Sequence, residues 1–313
     1  MQSNQTIDFS QFYKKTLEPG LLGIEPSRKA VFNNLLYTII CWSVAIVFMV
    51  VSFWFETVGW IGFIVLLITG SVLFGYYRED QKRYVAAFKE SVIFPIIRNV
   101  NPHCIYQPER AVSDKDCVKS GLFLKGADAY EGDDYVEGLH GSTYFCFSEL
   151  IITKQQDENT RVILFKGLFF IADFNKHFSG RTYVWSEANP QLTTFKKIFS
   201  SFTRRIEPVL MEDPEFEKRF IVYSSDQVEA RFILTPSMME RMTGLEEKFG
   251  KSLVFSFIDS NIYVAVPSKM DLFEPTILVR TNEQTLNQYY NAVVMTMGII
   301  DELNLNQRIW SKP

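Results

Sequence analysis

The sequence predicts an α+β protein: a two-helix transmembrane hairpin, then a mainly antiparallel β domain with flanking helices and a C-terminal amphipathic helix. Three observations carry this. Charged residues make up 22% of the chain, yet Glu56 is the one charged side chain between Lys29 and Arg78. Beyond residue 140 lie short runs heavy in Phe, Tyr, Ile, Val and Thr, separated by polar turns. Near the end, Leu286, Tyr289, Tyr290, Val293, Met297, Ile300 and Leu303 recur at helical spacing.

The hairpin comes first, after an N-terminal cytoplasmic segment over 1–34. Spans over 35–55 and 58–77 each have the length that a hydrocarbon core of about 30 Å requires, at about 1.5 Å rise per residue. A tight turn around Glu56-Thr57 joins them. Neither span has a polar stripe, which a buried hairpin of a soluble fold would show. The polar opening Met1-Gln2-Ser3-Asn4 lacks the basic start of a signal peptide. Lys14, Lys15, Arg28 and Lys29 precede the first span; Arg78, Lys82, Arg83 and Lys89 follow the second; the turn carries none. That asymmetry places both termini in the cytoplasm. Trp54 and Trp60 suit the outer interface, and Tyr76 and Tyr77 the inner one. Gly59, Gly62, Gly70 and Gly75 form no GxxxG, so they read as packing positions within the hairpin. With two spans and no ionisable residue inside either, transport would need further subunits.

A stalk and connection over 78–112 come next. Val85, Phe88 and Val92 continue the second helix outward until Pro95 interrupts it. The cytoplasmic domain then runs over 113–313. A short helix follows Ser113 as N-cap, and Asp128–Glu137 reads as a solvated acidic turn. Strands are expected over 142–154, 161–172 and 181–186 as a meander, then over 205–211 and 219–224. Asp213-Pro214-Glu215 starts a helix between the last two. Asp226 with Glu229, and Thr235-Pro236, open two further helices, and Gly250 stops the second. Met238, Met239, Met242, Leu245 and Phe249 share a face that reads as core. Asp259-Ser260-Asn261 turns a hairpin, and Thr281 with Gln284 forms a capping box for the last helix. About seven strands and a terminal helix is the element order of a pleckstrin-homology-like roll.

Composition excludes little beyond nucleic-acid binding: the net charge is −4, so no broad basic surface exists. No catalytic motif occurs. Gly250-Lys251-Ser252 lacks the upstream glycine of a phosphate loop, since Leu245 stands there. His103, Cys104, Cys117, His140 and Cys146 have no zinc-site spacing, and no metal or cofactor is expected. Two polar clusters are candidate sites. One is Asp173, Asn175 and His177 between two expected strands. The other is Glu131, Asp133, Asp134 and Glu137, where Tyr130 and Gly132 break a calcium-loop pattern.

The Tyr130–Gly138 segment, the Phe165–Lys176 stretch and the string Phe220-Ile221-Val222-Tyr223-Ser224-Ser225-Asp226-Gln227-Val228-Glu229-Ala230-Arg231 resemble an uncharacterised bacterial membrane-protein family, domain of unknown function 3137. The likeness runs from the hairpin to Pro275. It implies a bacterial inner-membrane protein with a cytoplasmic domain, and it supplies no activity, cofactor or catalytic residue. The reading that follows is a membrane-anchored binding or scaffold module with a protein partner. Lipid-headgroup recognition, and an enzyme using the polar loop, are the alternatives.

Overall fold

A computed structural model describes residues 9–52, 54, 56–123, 127–157, 160–188, 206–250, 252–268 and 271–306. The chain's first four residues, Phe55, Arg205 and Lys251, used in the reading above, lie outside these. The fold is α+β, in two compact units. The first comprises Met1–Ile96 with Phe273–Tyr290, and the second Ile97–Leu272 with Asn291–Pro313.

The first unit is helical. A turn of helix, α1 (Phe9–Phe12), passes through a π turn at Tyr13–Leu17 into α2 (Glu18–Val51), and α3 (Glu56–Phe88) returns. Both helices are longer than their expected spans. Helix α2 begins at Glu18, directly after the π turn, with Pro19 in its first turn, and it runs on through Pro26. Helix α3 does not end at Pro95 either. The chain widens into a π turn at Lys89–Ile93 and resumes as α4 (Phe94–Val100). Proline lacks an N–H and crowds the carbonyl four residues back, and a π turn just ahead of it relieves both conflicts.

Glycines let α2 and α3 close on each other. A Cβ at Gly59 would overlap the Ser52 backbone, one at Gly62 the Phe48 ring, and one at Gly70 would come within 2.5 Å of the Trp42 indole. Gly75 has nothing within 4 Å. The Trp42 and Phe74 rings meet at 5.5 Å, and Asn34 Nδ2 donates to Asp80 Oδ2 at 2.8 Å where the charged flanks begin. Elsewhere the helices present apolar side chains outward: Ile46, Val47, Ile61 and Ile68 are all more than half exposed.

The second unit is built on a nine-stranded antiparallel sheet. Its strands are β1 (Ile105–Gln107), β2 (Ala129–His140), β3 (Thr143–Asp157), β4 (Thr160–Asp173), β5 (Arg181–Ser186), β6 (Glu207–Val209), β7 (Phe220–Ser224), β8 (Val254–Ile258) and β9 (Asn261–Pro267). Their order is β1-β2-β3-β4-β9-β8-β5-β7-β6. The expected meander therefore holds from β3 to β4 but not on to β5, because the β8–β9 hairpin inserts between β4 and β5. The seven residues after β4 are long enough to carry the chain across that gap, and no local pattern records which strand fills it. Strands β1 and β2 are additional to the expected set. The acidic stretch read as a turn is most of β2, with a bulge between Asp133 and Val136 that breaks its alternation.

Both faces of the sheet are buried. Cys146, Leu150, Phe165, Phe169, Tyr183, Trp185 and Tyr263 pack with Cys117, Leu122 and Phe123, which belong to or follow α5 (Asp114–Lys119). On the opposite parity, Phe145, Phe147, Phe170, Val184, Phe255 and Val264 are fully buried. The helix signals read as predicted. Ser113 caps α5, Asp213 caps α6 (Pro214–Glu217), Asp226 caps α7 (Gln227–Ile233), and Thr235 caps α8 (Pro236–Phe249). Met239, Met242 and Leu245 are core, and Gly250 ends α8 at φ +57°. Helix α9 (Glu283–Glu302) is capped one residue later than expected. Asn282 Oδ1 accepts the Thr285 N–H at 2.9 Å, whereas the Thr281 hydroxyl is buried without a hydrogen-bond partner among the described residues.

Candidate functional site

The loop after β4 crosses the tip of the β8–β9 hairpin. Phe174 N–H donates to Ser260 O at 2.8 Å, and Phe178 N–H donates to Asp259 O. Asp173 Oδ1 accepts the Asn175 N–H at 2.9 Å, which folds a tight turn with Asn175 at φ +57°. His177 is exposed, with Nδ1 3.5 Å from Ser260 Oγ. Glu229 of α7 closes the loop by accepting Ser179 N–H and Gly180 N–H at 2.9 and 2.7 Å. The structure thus brings Asp173 and Asn175 together and sets His177 beside the hairpin turn. Between them, Phe174 and Lys176 line a cavity of about 300 Å³ with Phe232, Met238, Arg241 and Leu305. Lys176 Nζ lies 3.5 Å from the Phe232 ring centre, and burial lowers its pKa.

The second cluster is divided three ways. Glu137 accepts the hydroxyls of Tyr135 and Tyr144 at 2.9 and 2.7 Å. Asp134, in the bulge at φ +57° and 1% exposed, accepts the Tyr106 hydroxyl. Glu131 and Asp133 line a second cavity of about 280 Å³ together with Glu149, Lys166 and Asp271. Lys166 Nζ pairs with Asp271 Oδ1 at 2.7 Å, and Leu272 N–H donates to Glu149 Oε1 at 2.7 Å. Burial pushes the Glu149 carboxyl up to about 8, with the charges of Asp134, Asp133 and Asp271 adding to it and the Leu272 N–H opposing. At neutral pH this carboxyl holds its proton. Sequence reasoning passed over Glu149, although a lone acid inside the apolar run Phe147–Ile152 is itself a signal.

Backbone packing forms the walls of this second cavity. Gly167 sits at φ +151°, and a Cβ there would run into Val266 O and Ser268 N. Gly167→Ala is expected to cost at least about 2 kcal/mol through strain and collision, read as a lowered thermal midpoint.

Of the remaining sequence candidates, Cys117 and Cys146 share one buried core cluster. Burial pushes the Cys117 thiol up to about 12 and those of Cys104 and Cys146 up to about 11, so all three stay protonated. His140 Nε2 lies 2.8 Å from Asp301 Oδ2. Gly250 donates its N–H to Glu246 O and Glu247 O, as a helix stop does.

Residues 163–305 match a family model described as protein of unknown function (DUF3137). The match takes in the whole Phe165–Lys176 stretch and the whole Phe220–Arg231 string. It extends beyond Pro275 and leaves the Tyr130–Gly138 segment and the hairpin outside. No curated protein matches the chain. The crystal structure of the mycobacterial trehalose monomycolate transport factor A, TtfA, is similar at 12% sequence identity with a TM-score of 0.33, over 63% of this chain and 88% of that one.

Proposed function

We propose that this protein is a two-span membrane anchor carrying a domain that binds a protein partner at the cytoplasmic face of a bacterial inner membrane. One observation carries the anchoring: only 11% of the apolar window of each long helix is buried. A core helix of a water-soluble fold hides that surface. Each fully exposed aliphatic side chain forgoes about 1.5–3 kcal/mol of burial, and hydrocarbon is the solvent that removes the deficit. The basic flanks, Lys14 to Lys29 before the first span and Arg78 to Lys89 after the second, with none in the turn, support cytoplasmic termini. Reporter fusions at Glu56 and at the C-terminus test this: a periplasm-active reporter should work at the turn and fail at the C-terminus, and the reverse pattern overturns the orientation.

The partner surface is best supported on α7. Val228 and Phe232, one turn apart, are 78% and 44% exposed, and Phe232 also walls the cavity beside the Asp173, Asn175 and His177 loop. Exposed apolar side chains rimmed by polar ones suit a protein contact. Photo-crosslinking from position 228 in cells should yield a specific adduct, lost when Phe232 is changed to Glu. An unchanged background pattern would sink this assignment.

A further inference from the structure

We infer that the segment from Glu274 to Arg280 is an interfacial strap whose exposed Leu278 and Val279 sit among the lipid headgroups beside the two spans; this rests on the membrane reading above. The strap is fastened to helices of its own unit at successive heights. Lys89 Nζ pairs with Glu274 Oε1 at 3.0 Å, and the Tyr289 hydroxyl donates to Glu274 O at 2.8 Å. Two residues further on, the Tyr84 hydroxyl faces Thr276 O at 3.4 Å. On the other helix, Arg28 Nη1 donates to Ile277 O at 2.7 Å while Glu25 holds the rest of its guanidinium.

The fastening points thus move from Lys89, in the π turn, to Tyr84, on α3, as the strap proceeds, toward the apolar span. Tyr84 stands seven residues beyond Tyr77, and Arg28 seven before Leu35, so each is about 10 Å from its span along the helix. The headgroup layer outside the hydrocarbon is about 5–8 Å thick on each side, so both fastening points stand just beyond its outer edge, within a side chain's reach of it. Leu278 and Val279 come next in the chain and are 69% and 67% exposed. They are not spare core residues, because Phe273 and Thr281 already anchor the strap's inner side, being 0% and 5% exposed. Arg280, next to Val279, and Lys29, next to Arg28, are exposed, the cationic rim an anionic leaflet favours. Beyond Arg280 the strap ends, and Asn282 caps α9.

The test places an environment-sensitive nitrobenzoxadiazole label on single introduced cysteines of the full chain, in nanodiscs of phosphatidylcholine and phosphatidylglycerol. Cys41 is changed to Ala, and the buried Cys104, Cys117 and Cys146 remain. Labels go at Leu278, at lipid-facing Ile64 in α3, and at Leu22, an exposed α2 position farther from the span. The Leu278 label should emit to the blue of the Leu22 label and be quenched by headgroup-attached spin label, while the Ile64 label is quenched by acyl-chain spin label. If the Leu278 label behaves as the Leu22 label does while Ile64 is quenched, the strap inference fails alone. If Ile64 is not quenched, the membrane reading fails and this inference with it. Because the label is itself apolar, hydrogen exchange on the unlabelled chain is the second measurement. Amides of 278–280 should exchange faster in the Leu278→Ser/Val279→Ser variant in nanodiscs, and an unchanged rate counts against the strap.

Discussion

Glu149→Gln is expected to stabilise the protein at pH 8 and to change it little at pH 4. The carboxyl keeps its proton up to about 8 in the folded state, because burial and the Asp134, Asp133 and Asp271 charges penalise the anion. In the unfolded chain it ionises at its ordinary value near 4.5. Between those limits the folded state binds more protons, so stability falls as pH rises from about 4.5 through about 8. Below that window both states are protonated and nothing is lost. Above it the full penalty applies, on the order of a few kcal/mol for a partly buried group. Glutamine keeps an oxygen for the Leu272 N–H and cannot ionise, so it removes the pH-dependent part. Thermal or urea unfolding of wild type and variant across this range should show two curves that coincide at pH 4 and separate progressively from about pH 4.5 to about 8. Parallel curves, or a variant less stable at pH 8, would show that Glu149 is not held neutral.

The elements that could be read from the sequence are those whose cause is local. Ser113, Asp213, Asp226 and Thr235 cap helices because a side-chain oxygen reaches an amide two or three residues on. The Asp259-Ser260 turn is equally local, pairing Ile258 with Asn261 across two residues. What stayed hidden is set by distant chain. Strand β2 is disguised by acids that line a cavity or fill a bulge, and its pairing with Ile151 and Glu149 lies outside any window around Glu131. Insertion of β8 and β9 between β4 and β5 is likewise a property of the whole sheet. The two polar clusters were visible as clusters, but not the cavities they border. Glu149, Lys166 and Asp271 come from three separate places in the chain, and Arg241 and Leu305 from two more. Pro95 misled for a further reason. A proline is an N–H lost and a carbonyl crowded, and only the neighbouring turn decides whether that stops a helix.

Placing leucine at Gly59 should force the hairpin open, whereas leucine at Gly75 should leave it intact. Both glycines lie on α3, and both substitutions raise helix propensity by about 1 kcal/mol. What separates them is the opposite wall. At Gly59 the new Cβ meets backbone atoms of Ser52, which cannot swing aside as a side chain can, so α2 and α3 must part or the turn between them must rearrange. At Gly75 there is open space within 4 Å. Overpacking of this kind costs about 1–3 kcal/mol in a tight interface, and small-residue contacts are the main source of helix association in lipid. Gly62→Leu and Gly70→Leu should fall between the two, since the obstructing groups are the rings of Phe48 and Trp42. Oxidative crosslinking between cysteines introduced at Phe48 and Gly62 would report closure in the other variants. The expected yield is wild-type-like for Gly75→Leu and reduced several-fold for Gly59→Leu. Equal yields would mean that the turn absorbs the extra side chain, and that the Gly59–Ser52 approach is not what holds the helices together.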